Sequence, residues 1–417
     1  MKITHIQAFE IFDSRGLPTI ACKITLDDGM IVRSSVPVGL SVGHHEALEL
    51  RDGGQRLMGK GVQKAVEIVN TIIAPVFVGK EPNSVQVDLD MIQMDGSENK
   101  SLLGANSMLA VSMAMYRAHA YAENMELFEL IAMLYGADTV SLPIPMVNVI
   151  NGGVHAASNL SVQEYLVVPY GAQNFRSAME YLVQLFNVLK QMLVANGKSV
   201  ALGDEGGFAA SFSSDTEPLD FLMDVFEQSN FLNNSLFAVG LDVAASQLYD
   251  PKIRLYKFKD NDLKTTEQMI DWYVQCSKNY PLYSIEDGLH EDDWQGWSTM
   301  MKTFGDSIQV VGDDLFASHP ERIVEGIEQE AANAVVIKPN QLGTITESLQ
   351  SLKLCQEQGL TTIVSHRSGE TCDTFIADLA VGSSATHIKT GGCARGERVA
   401  KYNRLLEIEE ILLQQEE

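Results

Sequence analysis

Beyond residue 142, six short and largely apolar runs each stop at a residue that can do chemistry. Phe237–Leu241 stops at Asp242, Leu282–Ile285 at Glu286 and Ile308–Gly312 at Asp313. Ala334–Ile337 stops at Lys338, Thr362–Ser365 at His366 and Thr386–Ile388 at Lys389. Runs of this length without strict polar alternation read as strands buried on both faces, as in a parallel sheet. Amphipathic helical segments such as 344–358 lie between them, which gives a strand–helix rhythm. Reactive residues at successive strand C-termini point to an α/β barrel, because a barrel builds its active site at that face.

The first third has another rhythm. Ile20–Leu26 alternates, Asp27-Asp28-Gly29 is a turn, and Ile31–Arg33 resumes the alternation, so a β-hairpin meander is expected. The period becomes helical over 61–76 and 104–135, and 105–114 is rich in small and apolar residues, as in a buried helix. Strands followed by helices make an α+β unit. Leu142-Pro143-Ile144-Pro145 reads as the linker, and the chain divides into residues 1–135 and 136–417.

A chain of 417 residues buries a large core without disulfide or zinc staples. It carries 30 basic against 55 acidic side chains, a net charge of −25, which argues against nucleic acid and anionic membranes as partners. An anionic small molecule stays possible, because a few local cations or bound metals invert the field at one site. The five cysteines are odd in number and lack CxxC spacing, which suits a reducing, cytoplasmic compartment. No apolar run approaches the roughly 18 residues of a membrane span.

Asp242, Glu286 and Asp313 would meet at one barrel mouth. Three convergent carboxylates repel one another unless a hard cation such as Mg²⁺ sits among them, and a single such acid would more often be a solvated loop residue. Lys338 follows four apolar residues, where a surface lysine is out of place; near a metal it can have a depressed pKa and act as a base. The bland alternative is a core lysine reaching the rim. Gly203-Asp204-Glu205-Gly206-Gly207 frames two acids in glycine, and His366-Arg367-Ser368-Gly369-Glu370 sets a guanidinium fork beside a hydroxyl, an anion-binding composition. Either could be a plain turn. Asn151–His155 and Gln163-Glu164 are weak signals alone. Gly54–Lys60 has P-loop spacing, but Gly61 stands where Ser or Thr must be, and His45–Glu49 lacks the second histidine of a zincin helix. Both are assigned to ordinary structure.

Together these segments resemble the enolase family, from Asp13-Ser14-Arg15-Gly16 to Lys401-Tyr402-Asn403. The most specific are 203–207, Ser284–Gly288, Gly312–Leu315 and Ser365–Glu370, in matching order and spacing. The resemblance implies a small α+β domain capping an eight-stranded α/β barrel that starts ββαα, with one antiparallel strand. It implies Mg²⁺-dependent, reversible dehydration of 2-phosphoglycerate to phosphoenolpyruvate. A lysine or histidine base with one or two Mg²⁺ ions is the known pattern of enolase-superfamily sites. By resemblance, Lys338 takes the C2 proton and Glu205 is the general acid, with Glu164 as its acidic neighbour. Gln163, His155 and Lys389 contact substrate, and Arg367 and Ser368 clamp the phosphate. Asp242, Glu286 and Asp313 hold the first of two Mg²⁺ ions, and Ser41, in the loop Val38–Gly43, helps hold the second. A homodimer or higher homo-oligomer is implied as well.

Departures exist. The family's Ser-Gly-Ala-Ser-Thr-Gly loop is here Val38-Gly39-Leu40-Ser41-Val42-Gly43, and Leu17, Ala21 and Glu407 replace the family's asparagine, glutamate and arginine. Losing the hydroxyls at 38 and 42 should weaken loop closure. A superfamily member acting on another acid, and a paralogue kept as a binding or scaffold protein with weakened catalysis, are the competing readings.

Overall fold

The computed structural model describes residues 1–39, 45–229, 236–259 and 261–416. An antiparallel sheet of β1 (Ile3–Phe12), β2 (Pro18–Leu26) and β3 (Ile31–Ser35) opens the chain. The expected hairpin is β2–β3, turning at Gly29, whose φ of +90° suits glycine. The helix Ala105–Ala122 packs on β2 and β3 and also meets the barrel side at Pro339–Gln341. Burial on nearly every side explains its small residues, which let backbones approach closely.

Two helical expectations change in detail. The segment 61–76 folds as Gln63–Ile68, a π-helical turn Val69–Ile73 and Ala74–Phe77. Pro75 lacks an N–H and crowds the preceding turn, which the wider π turn accommodates. Asn70, in that turn, also bonds both backbone groups of Ala8, at 2.7 and 3.1 Å. The segment 104–135 breaks into Ala105–Ala122 and Leu127–Tyr135, the second opened by a reciprocal Glu126/Glu129 capping box.

The barrel strands are β4 (Ile144–Asn151), β5 (Glu164–Val168) and β6 (Ala238–Asp242). After a small sheet of β7 (Tyr249–Asp250), β8 (Leu255–Lys257) and β9 (Leu263–Lys264) come β10 (Leu282–Glu286), β11 (Gln309–Gly312), β12 (Ala334–Ile337), β13 (Thr361–Ser365) and β14 (His387–Lys389). They close in the order β10-β11-β12-β13-β14-β4-β5-β6. β5 runs antiparallel to both neighbours, and two helices, Phe175–Ala195 and Glu217–Gln228, precede β6, so the barrel does start ββαα. The expected linker is partly strand: Ile144 and Pro145 already pair with His387 and Ile388, and proline is tolerated near a strand start.

Apolar side chains, among them Met146, Leu166, Val311, Val336 and Ile363, form one barrel cluster, and a larger core joins strands to the surrounding helices. The last helix, Gly396–Glu416, packs against Phe175–Ala195 and Phe375–Gly382. Among the described residues no helix is long and apolar enough to cross a membrane.

Candidate active site

Strand register assembles the mouth. Parallel pairing sets Glu286 beside Asp242 and Lys389 beside Ser365. Because β5 is reversed, its first residue, Glu164, lies at the mouth, paired with both Asn151 and Asp242. This explains why Gln163-Glu164 carries little signal in the sequence: it opens a strand where the other site residues end one. One cavity is lined by His155, Gln163, Glu164, Glu205, Asp242, Asp313, Lys338, Arg367, Ser368 and Lys389, together with His366, Asp287 and Asp314. Glu286 is fully buried beside them. Ser41 lies outside the described residues.

The glycines of two loops serve close approach. Gly392 donates to the Glu205 carbonyl at 2.8 Å. A Cβ on Gly391, which has φ +89°, would come within 2.4 Å of that carbonyl oxygen, and one on Gly392 within 2.4 Å of the Gly206 oxygen. The 203–207 loop can therefore lie directly on 391–392, and Glu205 is fixed facing the cavity. Its Oε2 accepts from Asn148 Nδ2 at 3.0 Å and stands 3.2 Å from His155 Nδ1, while Oε1 is 3.8 Å from His366 Nε2.

Charge is dense here. Lys389 Nζ lies 2.6 Å from Glu286 Oε1, 3.2 Å from Asp242 Oδ2 and 3.4 Å from Glu164 Oε2. Lys338 pairs with Asp313. The three acids expected to surround one cation are thus divided between two ammonium groups. Burial, then the Asp242 carboxylate, push Glu286 up to about 8, despite Lys389. Burial and the neighbouring Glu205 drive Glu164 far above the carboxylate range. Burial acts on Glu205 in the same sense, but His155, Glu164 and His366 together outweigh it and hold Glu205 far below that range. One proton shared by two carboxyls is the natural state of such a pair.

Two opposing effects act on Lys338. Burial pulls its pKa down, but the adjacent Asp313 more than offsets this, and the ammonium is held above the usual lysine range rather than depressed.

The donor set fits a hard cation. Asp242, Glu286 and Asp313 are all buried oxygen donors, and Glu286 Oε2 has no hydrogen-bond partner among the described residues. Asp287, Asp313 and Asp314 also bring carboxylate oxygens within 4.8 Å of one another. Both Asp287 oxygens, however, already accept from the backbone N–H groups of Asp313 and Asp314, at 3.0 and 2.9 Å, so Asp287 shapes the turn that presents Asp313.

Arg367 reveals the residue the sequence reading missed. Its guanidinium makes a two-pronged pair with Glu46, at 2.9 and 3.1 Å, and also donates to Asn340 Oδ1 at 3.1 Å. Glu46 falls in the segment His45–Glu49 assigned to ordinary structure; it stands against Arg367, with Gln341 Nε2 between Glu46 and Asp313 at 3.4 and 3.5 Å. Arg15 donates to Ser368 Oγ at 3.1 Å and to the Val38 carbonyl at 3.1 Å. Nothing in local spacing announces the Glu46–Arg367 and Arg15–Ser368 contacts, each made across more than 300 residues.

Val38 stands at the described start of the loop. Its backbone pairs with Gly369 in both directions, at 2.7 and 2.9 Å, and its side chain is buried. The start of the loop is therefore anchored without a side-chain hydroxyl at 38. Val42 lies outside the described residues. The segment 54–60 is ordinary structure, as expected: Arg56 pairs with Glu10 and Asp52.

Two family models match the chain. The family model described as the enolase C-terminal TIM barrel domain matches residues 139–417, and that of the enolase N-terminal domain matches 3–131. A protein named enolase from Corynebacterium kroppenstedtii is 46% identical over 412 residues, 99% of this chain and 96% of that one. Another enolase, from a Nitratiruptor species, is 45% identical over 413 residues, 99% of this chain and 97% of that one.

Proposed function

The chain belongs to the enolase family, and from that premise we propose that it is the glycolytic hydro-lyase that reversibly dehydrates 2-phosphoglycerate to phosphoenolpyruvate. One observation carries the reading: a single cavity gathers a lysine, two neighbouring carboxyls and a guanidinium beside a hydroxyl. These are the groups needed to remove a carbon-bound proton, protonate a departing hydroxyl and hold a phosphate.

Lys338 is the base that takes the C2 proton. Glu205 protonates the leaving 3-hydroxyl, and Glu164 shares the proton it needs. His155 and Gln163 orient the substrate, Lys389 balances its charge, and Arg367 with Ser368 holds the phosphate. Asp242, Glu286 and Asp313 would hold a divalent cation, which would supply positive charge for the substrate carboxylate. We read that cation as Mg²⁺, two per site, with Ser41 serving the second. Residues 1–135 are read as the capping unit and 136–417 as the catalytic barrel. The protein is proposed to be cytoplasmic, in keeping with five free cysteines, and to act as a homodimer or higher homo-oligomer.

The test is formation of phosphoenolpyruvate, followed by its ultraviolet absorbance, from 2-phosphoglycerate and Mg²⁺. Folded protein that forms none under those conditions would overturn the proposal.

A further inference from the structure

We infer that Arg398 is a positioning residue for this reaction, holding the loops of Glu205 and Arg367 in register and fixing His366 as the tautomer protonated on Nε2. The inference deepens the proposed function and rests on it for the reaction, but not for the tautomer.

Arg398 lies near the start of the helix Gly396–Glu416 and is fully buried, away from the cavity that His366 lines. One prong of its guanidinium, Nη1, stands 2.6 Å from His366 Nδ1 and donates to the Arg367 carbonyl at 2.7 Å. The other, Nη2, donates to the carbonyls of Ser368 at 2.7 Å and Asp204 at 3.0 Å. A single planar group thus ties the 203–207 loop to the loop after β13. Gly391 makes room for it: a Cβ there would lie 2.7 Å from Arg398 Cδ and 2.4 Å from the Glu205 carbonyl oxygen.

The chemistry of the contact with His366 leaves one choice. A guanidinium has only donors and does not deprotonate in proteins. His366 Nδ1 must therefore offer its lone pair, and the neutral ring carries its proton on Nε2. Burial, countered by Glu205 and reinforced by the Arg398 charge, keeps this ring neutral. Nε2–H faces Glu205 Oε1 at 3.8 Å, on the opposite oxygen from Asn148 and His155. Arg398 thereby sets which atom of His366 meets the general acid, and sets the height of the Arg367–Ser368 backbone.

The decisive experiment is long-range ¹H–¹⁵N spectroscopy of the [¹⁵N]histidine-labelled, Mg²⁺-loaded enzyme, with His366 assigned by its loss in His366→Asn. The expected spectrum shows a bare Nδ1 and a proton on Nε2 at neutral pH. A proton on Nδ1 would overturn the inference, and this reading needs no altered arginine. Arg398→Lys removes the fork while keeping the charge. In it the ring should sample both tautomers, and kcat should fall by about 10²-fold while KM moves little, as for a misplaced catalytic group. A lower melting temperature with unchanged kcat and unchanged tautomer would make Arg398 structural cement only, which also overturns the inference. Inactive wild-type protein with Nε2–H counts against the proposed reaction and leaves the tautomer standing; active protein protonated on Nδ1 does the reverse.

Discussion

Replacing Asp88 with asparagine should flatten the pH dependence of stability. Asp88 is fully buried where the N-terminal helices meet the barrel. Its Oδ2 accepts from Ser112 Oγ at 2.9 Å, from Thr346 N at 3.0 Å and from Thr346 Oγ1 at 2.7 Å, while Oδ1 has no hydrogen-bond partner among the described residues. Burial outweighs those three bonds and lifts the carboxyl from 3.8 to about 7. A carboxyl raised on folding binds its proton more tightly in the native chain. Its contribution is complete below the unfolded value near 3.8 and is lost as pH rises through about 7. A rise of that size corresponds to ~4 kcal/mol. In Asp88→Asn the amide oxygen would accept the same three bonds without ever ionising, but the NH₂ would lack a partner, at a cost of about 1–3 kcal/mol. The net expectation at about pH 8 is a gain of roughly 1–3 kcal/mol for Asp88→Asn. Urea midpoints of both proteins, compared from about pH 5 to pH 8 at fixed Mg²⁺, isolate this group from the titrating active site. The advantage of the variant should grow up to about pH 7 and then level off. Parallel curves for the two proteins would refute the reasoning.

Excess chelator should abolish turnover, and Mg²⁺ should restore it; undiminished turnover would remove the cation assignment of Asp242, Glu286 and Asp313. Glu46→Ala should destabilise the protein by about 3–5 kcal/mol, because it removes the two-pronged carboxylate partner of the buried Arg367, and Glu46→Gln should cost less. Equal urea midpoints for wild type and Glu46→Ala would show that the pair is not buried in solution.

The barrel was legible because buried parallel strands write themselves as apolar runs, and the residue that breaks each run must stand at the mouth. Asp242, Glu286, Asp313, Lys338, His366 and Lys389 were therefore visible one by one. Glu164 was not, because a reversed strand puts its first residue there, and only family resemblance supplied it. Glu46, Arg15, Arg398 and Asp88 act through side chains that cross between distant segments. No periodicity encodes those contacts.

The proposed reaction turns on Lys338 removing a carbon-bound proton at this mouth. The most direct measurement is exchange of the C2 hydrogen of 2-phosphoglycerate with deuterated solvent, catalysed by Mg²⁺-loaded wild type, Glu205→Gln and Lys338→Ala. Wild type should exchange it, and Glu205→Gln should retain part of the exchange, because proton removal precedes loss of the hydroxyl. Lys338→Ala should fold, keep its metal site and lose exchange by at least about 10²–10⁴-fold. Exchange at the wild-type rate in folded Lys338→Ala would place the base elsewhere.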